Sequence, residues 1–297
     1  MIEGDWRRAA VAHGLAFNDL TDVTGSEVTG LDLAAPLDAA TIEILRAACA
    51  ERIALVFPGQ GHLSARAYLD FAGQFGASFD LHSQRQFCHP DFHPIFVVGN
   101  VVEYGRAAGA PKVGLNWHTD HYHLERPGRF TWLHAIDLPP GSSATRYANG
   151  IAAYEALPAA QRARIANLKV MHSRARMFKH AFPDATADQV EAERRLAPDV
   201  VHPLVRHHPD LGRRGLYLGG EWGSYIMDLP DDEADALFRE LLAHMIEPRF
   251  VYAHEWRPGD VVMADNRCSL HRATEWDETR HQRRLHRIIL LDDEPPR

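Results

Sequence analysis

The run Asn116-Trp117-His118-Thr119-Asp120 sets an imidazole and a carboxylate two positions apart. In an extended chain alternate residues share a face, so His118 and Asp120 stand side by side as two adjacent metal ligands. One neutral imidazole and one carboxylate, completed by a distant second histidine, form the facial set that holds non-haem Fe(II) and leaves coordination positions open. The best candidate for the third donor is His271, in Asp265-Asn266-Arg267-Cys268-Ser269-Leu270-His271-Arg272. Taken alone, a His-x-Asp pair is more often a hydrogen-bonded surface or core pair, and with 19 histidines in the chain no single one identifies itself. The same donors would also hold zinc with a bound water, as in a hydrolase, or serve a cupin-like binding protein without turnover.

Arg283 and Arg287 follow His271. A guanidinium clamps a carboxylate through two parallel hydrogen bonds and keeps its charge at any working pH. Arg283, Leu285 and Arg287 share strand parity, so two cations can face one pocket while Arg284 and His286 face away. A solvated basic edge strand is the competing reading, since Arg280, Arg283, Arg284 and Arg287 form a charged cluster. A zinc hydrolase leaves Arg283 unexplained.

Around these residues the pattern is mainly β with inserted helices. Short strands are expected at 53–57, 93–99, within 117–137, and at 250–256, 261–264, 269–273 and 285–291, bounded by turn signals such as Pro58-Gly59 and Pro258-Gly259. A further strand is expected over 23–33 and a hairpin at 202–206 with 215–219. Helical spacing marks 38–49 behind Asp38 as N-cap, 63–75, two short helices split at Pro158 within 149–168, and 231–245. The charged stretch 184–196 reads as a helix without a strong apolar face, a candidate lid. Strands of this kind with helices inserted mainly in the first two-thirds point to a β-sandwich or jelly roll. One domain spanning 1–297, with helical insertions at about 149–200, is the expected organisation.

The bulk composition narrows the partners. With 32 Lys and Arg against 40 Asp and Glu, a formal charge of -8 and no dense basic run, nucleic acid is not an expected partner. Three widely spaced cysteines, Cys49, Cys88 and Cys268, suggest neither a disulfide framework nor a thiolate zinc site. There is no signal-peptide design at the N-terminus and no apolar run of membrane-spanning length, so no membrane partner and a cytoplasmic location are expected.

The sequence resembles the taurine dioxygenase/2,4-dichlorophenoxyacetate dioxygenase family of iron- and 2-oxoglutarate-dependent enzymes. The resemblance runs through Val-Thr-Gly-Leu-Asp-Leu-Ala-Ala-Pro-Leu (28–37), Val56-Phe57-Pro58-Gly59-Gln60, Trp117-His118-Thr119-Asp120, Ala148-Asn149 through Ala152-Ala153-Tyr154-Glu155-Ala156-Leu157, and Asp265-Asn266-Arg267 leading to His271-Arg272-Ala273. It implies a double-stranded β-helix (jelly roll, cupin-like) fold, Fe(II), 2-oxoglutarate and O2 as cofactor and co-substrates, and His118, Asp120 and His271 as iron ligands. It implies Arg283 on the distal carboxylate of 2-oxoglutarate and Arg287 as the second arginine that in some members binds the substrate's anionic group; because the loop after His271 is one residue longer than in relatives, Arg284 is a fallback for either role. Thr145 matches a threonine that helps hold the co-substrate, although Ser142-Ser143-Ala144-Thr145 replaces the usual Gly-Gly-Asp-Thr. The implied reaction is oxidation of a C–H bond, by default hydroxylation, with release of succinate and CO2. Arg287 suggests a small anionic substrate, a carboxylate or sulfonate; His82, His121 and Lys179 are further substrate-contact candidates. Homo-oligomers are common in the family.

Overall fold

The computed structural model describes residues 6–80, 82–103, 106–107, 109–110, 113–138 and 144–297, with the side chains of 82–84, 103 and 106–107 outside the description. Two antiparallel sheets face one another. The larger has seven strands in the order Ala16–Asp19, Ser26–Thr29, Ala54–Phe57, Val261–Asp265, Gly128–Asp137, Arg284–Leu291 and Phe96–Gly99, antiparallel except for the parallel pair Ser26–Thr29 with Ala54–Phe57. The smaller is Val251–Glu255, Ala144–Asn149 and Ser269–Ala273. This is the expected jelly roll, sheet-rich and decorated by helices.

Strand alternation assigns the two faces of the large sheet. Val56, Leu133, Ala135, Val262 and Leu285 point inward and pack with Tyr147 of the small sheet and Trp256 just beyond its Val251–Glu255 strand. Leu55, Phe57, Trp132, Met263 and Ile288 point outward, where the helices Ala39–Arg52 and Ala65–Gly73 cover them. Ala54–Phe57 and Val261–Asp265 are buried throughout, which is why they read as continuous apolar runs rather than alternating ones. Trp132 is fully buried with the rings of Phe71 and Phe75 5.1 and 5.0 Å away. On the far side, Leu237, Leu241 and Met245 of Asp231–Met245 close over Ala148 and Leu270 of the small sheet.

Local signals set the helix ends. The Asp38 carboxylate accepts from the Thr41 amide at 2.7 Å and caps Ala39–Arg52. Pro158 separates Gly150–Ala156 from Ala159–Ile165, as its spacing predicts. The charged helix forms at Ala187–Leu196 behind a Thr186 capping box, and buries none of its residues. The helices Trp6–Ala12 and Arg174–Ala181 form where the sequence pattern marks none. Among the described residues no helix is long and apolar enough to cross a membrane.

One expectation fails locally. Residues 117–126 are not a strand: His118 makes isolated bridges to His271 and Gly220, and the chain turns at Asp120, with His121 at a φ of 54°. Gly128 then restarts the sheet at a point where a Cβ would lie 2.8 Å from the Asp120 carbonyl oxygen. Only a residue without a side chain fits there.

Candidate metal centre

Two segments from opposite parts of the chain are stitched together at the site. The His118 amide donates to the His271 carbonyl at 3.0 Å, and the His271 amide to the His118 carbonyl at 2.7 Å. This reciprocal pair sets the two imidazoles side by side, with ring centroids 4.3 Å apart. His118 Nδ1 lies 2.8 Å from the Asn116 carbonyl, so Nδ1 carries the proton and Nε2 presents a lone pair. Nε2 of His271 is 3.7 Å from Oδ2 of Asp120. One ligand atom from each of His118, Asp120 and His271 lies within 4.8 Å of the other two, close enough to share one ion.

The electrostatics suit a metal. Burial pushes the His118 imidazole below its ordinary value, and burial with His118 nearby takes His271 down to about 3. Burial opposes ionisation of Asp120, but Arg287, His271 and His118 outweigh it and hold the carboxyl well below the usual range. At neutral pH the cluster is therefore two neutral imidazoles and one carboxylate, the protonation state a divalent ion requires. Two nitrogens and one oxygen on one side of a point is also the donor chemistry of an Fe(II) site with open positions.

The small sheet places a second group of side chains beside the first. His271 pairs with Tyr147 and Ala273 with Thr145 across the antiparallel register, so Tyr147 and Thr145 share the His271 face. The Trp256 indole donates to the Thr145 hydroxyl at 2.9 Å, and that hydroxyl also interacts with Tyr147. Tyr147 interacts electrostatically with both Asp120 and Arg283, which places Arg283 next to this group. Arg283 is buried, its amide held by Asn100 Oδ1 at 3.0 Å and its guanidinium 5.9 Å from the Trp276 ring centre. Its Nε has no hydrogen-bond partner, and among the described residues no carboxylate lies within ion-pair distance. Burial lowers the guanidinium to about 10, so it remains charged at neutral pH. A buried cation without an anion is costly, and the residues present fit a ligand that brings a carboxylate.

The parity expected for the last strand holds. The register shift at Arg284/Leu285 pairs Arg284 with Asp137 and Leu285 with Ala135, so the extra residue is Ile136 on the neighbouring strand. Alternation along Arg284–Leu291 is undisturbed, and Arg284 turns to Asp137, 3.2 Å away, rather than toward the metal ligands. Arg287 lies on the inner side, stacked on Phe96 with 4.7 Å to the ring centre. Its charge is compensated within the chain, contrary to expectation: Nη1 is 3.3 Å from Oδ1 of Asp120.

A cavity of about 680 Å³ opens over His118, Asp120 and Arg287. His121 and His123 join its polar side, while Phe79, Met177, Phe178, Phe182, Leu196 and Trp222 make an apolar wall. His121 meets Phe79 edge to face at 4.7 Å, has a buried, unpartnered Nε2, and is pushed down to about 3 by burial with His123 beside it. The helices Arg174–Ala181 and Ala187–Leu196 roof the cavity and are joined by an ion pair, Arg174 Nε to Glu193 Oε2 at 2.5 Å. Lys179 does not line the cavity. It is exposed, and its Nζ donates to the carbonyls of Pro183 and Ala185 at 2.7 and 2.9 Å, closing the end of its own helix. The His82 backbone belongs to the turn His82–Phe87, and its side chain lies outside the described parts, as do Ser142 and Ser143. Tyr147 and Arg174 were not singled out from sequence. Tyr147 has a usable signal, its parity with Thr145; Arg174 has none without the phase of an unmarked helix.

Comparison with known proteins agrees with this geometry. The profile of the taurine catabolism dioxygenase TauD, TfdA family matches residues 16–289. An alpha-ketoglutarate-dependent 2,4-dichlorophenoxyacetate dioxygenase from Cupriavidus pinatubonensis is 33% identical, over 93% of this chain and 97% of that one. An alpha-ketoglutarate-dependent sulfate ester dioxygenase from Pseudomonas putida is 30% identical, over 92% and 87%. The crystal structure of AAD-2 in complex with Mn(II) and N-oxalylglycine superposes with a TM-score of 0.81 at 27% identity, covering 95% of this chain and 98% of that one.

Proposed function

Because the chain belongs to the TauD/TfdA family of Fe(II)- and 2-oxoglutarate-dependent dioxygenases, we propose that it oxidises a C–H bond of a small organic anion, by default through hydroxylation. His118, Asp120 and His271 hold the iron. Arg283, helped by the Thr145 hydroxyl, holds the distal carboxylate of 2-oxoglutarate, and Arg287 faces the anionic group of the primary substrate. The observation that carries this reading is the pairing of a metal-ready cluster with a buried, anion-free arginine across Tyr147.

Fe(II), 2-oxoglutarate and O2, when bound, supply the oxidising power, with succinate and CO2 released as the substrate C–H bond is oxidised. The work of the chain itself is positional. His118 and His271 contribute neutral lone pairs and Asp120 a fixed negative charge, leaving the cavity side open. Arg283 and Thr145 orient the co-substrate from behind, so that its keto acid end meets the cluster. The apolar wall of Met177, Phe178 and Trp222 excludes water and takes the body of the primary substrate. Arg287 has one N–H on Asp120 and the rest of its guanidinium available to an anionic head. Relatives whose names give a phenoxyacetate or a sulfate ester as substrate support an anion with an apolar body.

The test is anaerobic addition of Fe(II) and then 2-oxoglutarate to the purified protein, followed by visible spectroscopy. A charge-transfer band of a chelated keto acid is expected, lost in His271→Ala. Tight zinc binding with hydrolysis of a test ester and no such band would overturn the reading in favour of a hydrolase.

A further inference from the structure

Asp120 stands on a buried polar relay. Thr131, on the strand Gly128–Asp137, donates from Oγ1 to Oδ2 of Asp120 at 2.5 Å. Asn266 Nδ2 donates to that same Thr131 oxygen at 2.8 Å. The amide of Asn266 is itself oriented, because its Oδ1 receives the Asp120 backbone N–H at 3.3 Å, while the Thr119 hydroxyl donates to the Asn266 backbone carbonyl at 2.8 Å and lies 3.2 Å from the same Oδ1. Thr119, Asp120, Thr131 and Asn266 are all at most 4% exposed, so water does not compete for these bonds.

A hydroxyl has one proton and two lone pairs. With the Asn266 amide donating to the Thr131 oxygen, the single Thr131 proton has one direction left, toward Asp120. The terminal torsion of an aspartate is otherwise soft and roughly two-fold, so an unsupported carboxylate would present either oxygen, at a range of angles. Gly128 closes the arrangement: a Cβ there would come within 3.2 Å of Asn266 Nδ2.

We propose that Thr131 and Asn266 are positioning residues for the metal-binding carboxylate: Asn266 aims the Thr131 hydroxyl, and Thr131 locks Asp120 in one orientation for metal coordination. The inference rests on the reading of His118, Asp120 and His271 as the metal ligands, and goes beyond it to residues that touch neither metal nor substrate.

The experiment uses Co(II) as probe on the full chain, reading its visible ligand-field spectrum and its dissociation constant. Thr131→Val keeps the shape and removes the donor; it should weaken Co(II) binding about 10- to 100-fold, the usual consequence of losing a partner behind a metal ligand, and change the band pattern. Thr131→Ser restores the hydroxyl and should recover both affinity and spectrum to near wild type, which a role in packing alone would not predict because serine lacks the methyl group. Asn266→Asp replaces the donor with an acceptor, turns the Thr131 proton away and should weaken binding at least as much as Thr131→Val. Wild-type affinity and spectrum in Thr131→Val, with binding lost in a His118→Ala control, would overturn this inference alone. Co(II) binding that survives His118→Ala unchanged would overturn the ligand assignment and this inference with it.

Discussion

The metal centre and the roof of the cavity are built by opposite means. Asp120, His271 and Arg283 are buried and His118 is half-buried, with His271 set by cross-strand register and joined to His118 by reciprocal backbone hydrogen bonds. The roof is two short helices, one of which buries no residue at all, pinned by a single Arg174–Glu193 ion pair. The backbone bonds make the cluster stiff, because moving His271 means breaking a sheet ladder and moving His118 means breaking its bridges to His271 and Gly220. Helices with little buried apolar surface belong to the low-stability end of a fold, where local opening is least costly. On the function proposed above, the chemistry common to any substrate rests on the rigid half, and selection of a substrate on the half that yields.

This contrast can be broken at several points. The largest effect is expected from His271→Ala or Asp120→Ala, each of which should abolish succinate production and metal retention while far-UV circular dichroism stays native. Activity surviving in either would show that the cluster is not the reactive centre.

Acid should act next, and on the rigid half. Burial holds His271, His121 and His286 down to about 3, and His134 and His123 down to about 4. These imidazoles are neutral in the fold but take up a proton in the unfolded chain once the pH drops below about 6.5. The unfolded state binds more protons there, so stability falls with falling pH, by about 1.4 kcal/mol per pH unit for each such histidine until its folded value is reached. Denaturant melts of metal-free protein at pH 7.5 and 5.5 should show a much lower midpoint in acid; equal midpoints would mean these rings are not buried as described.

Arg283→Ala should raise the KM for 2-oxoglutarate about 10- to 100-fold, the scale of a lost charge-assisted hydrogen bond, with kcat largely kept at saturation. Arg283→Lys should recover only part of it, having no planar fork. The smallest effect belongs to the roof. Glu193→Gln frees Arg174 from a partly exposed ion pair worth about 0.2–1 kcal/mol, so the KM of the primary substrate should move less than about five-fold, with that of 2-oxoglutarate unchanged. A large change in the latter would mean that the two halves are coupled.

What was legible in the sequence follows the same divide. Continuous apolar runs, the Asp38 cap, the break at Pro158 and the spacing of 231–245 are local signals, and the elements form where those signals stand. Parity along the last strand separated Arg283 and Arg287 from Arg284 because both register shifts place the extra residue on the neighbouring strand. Residues 117–126 misled: their mixture of aromatic and polar side chains imitates a strand, but His118 is held by bridges and the chain turns at once, which only contacts with His271 and Gly220 decide. Lys179 and Arg174 show the cost of an unmarked helix. Five positions apart on one polar segment, they face different surroundings, and without the helical phase the wrong cation is chosen. The contact of Arg287 with Asp120 joins positions more than half the chain apart and has no local trace.

The reciprocal bridge between His118 and His271 has a thermodynamic side as well. An ion bound to both rings becomes a cross-link that closes a loop of more than half the chain, and it does so only in the folded state. Ligation then adds to folding stability in proportion to the logarithm of metal concentration over its dissociation constant. Starving the protein of metal therefore loosens the whole sandwich, including strands that never touch the ion.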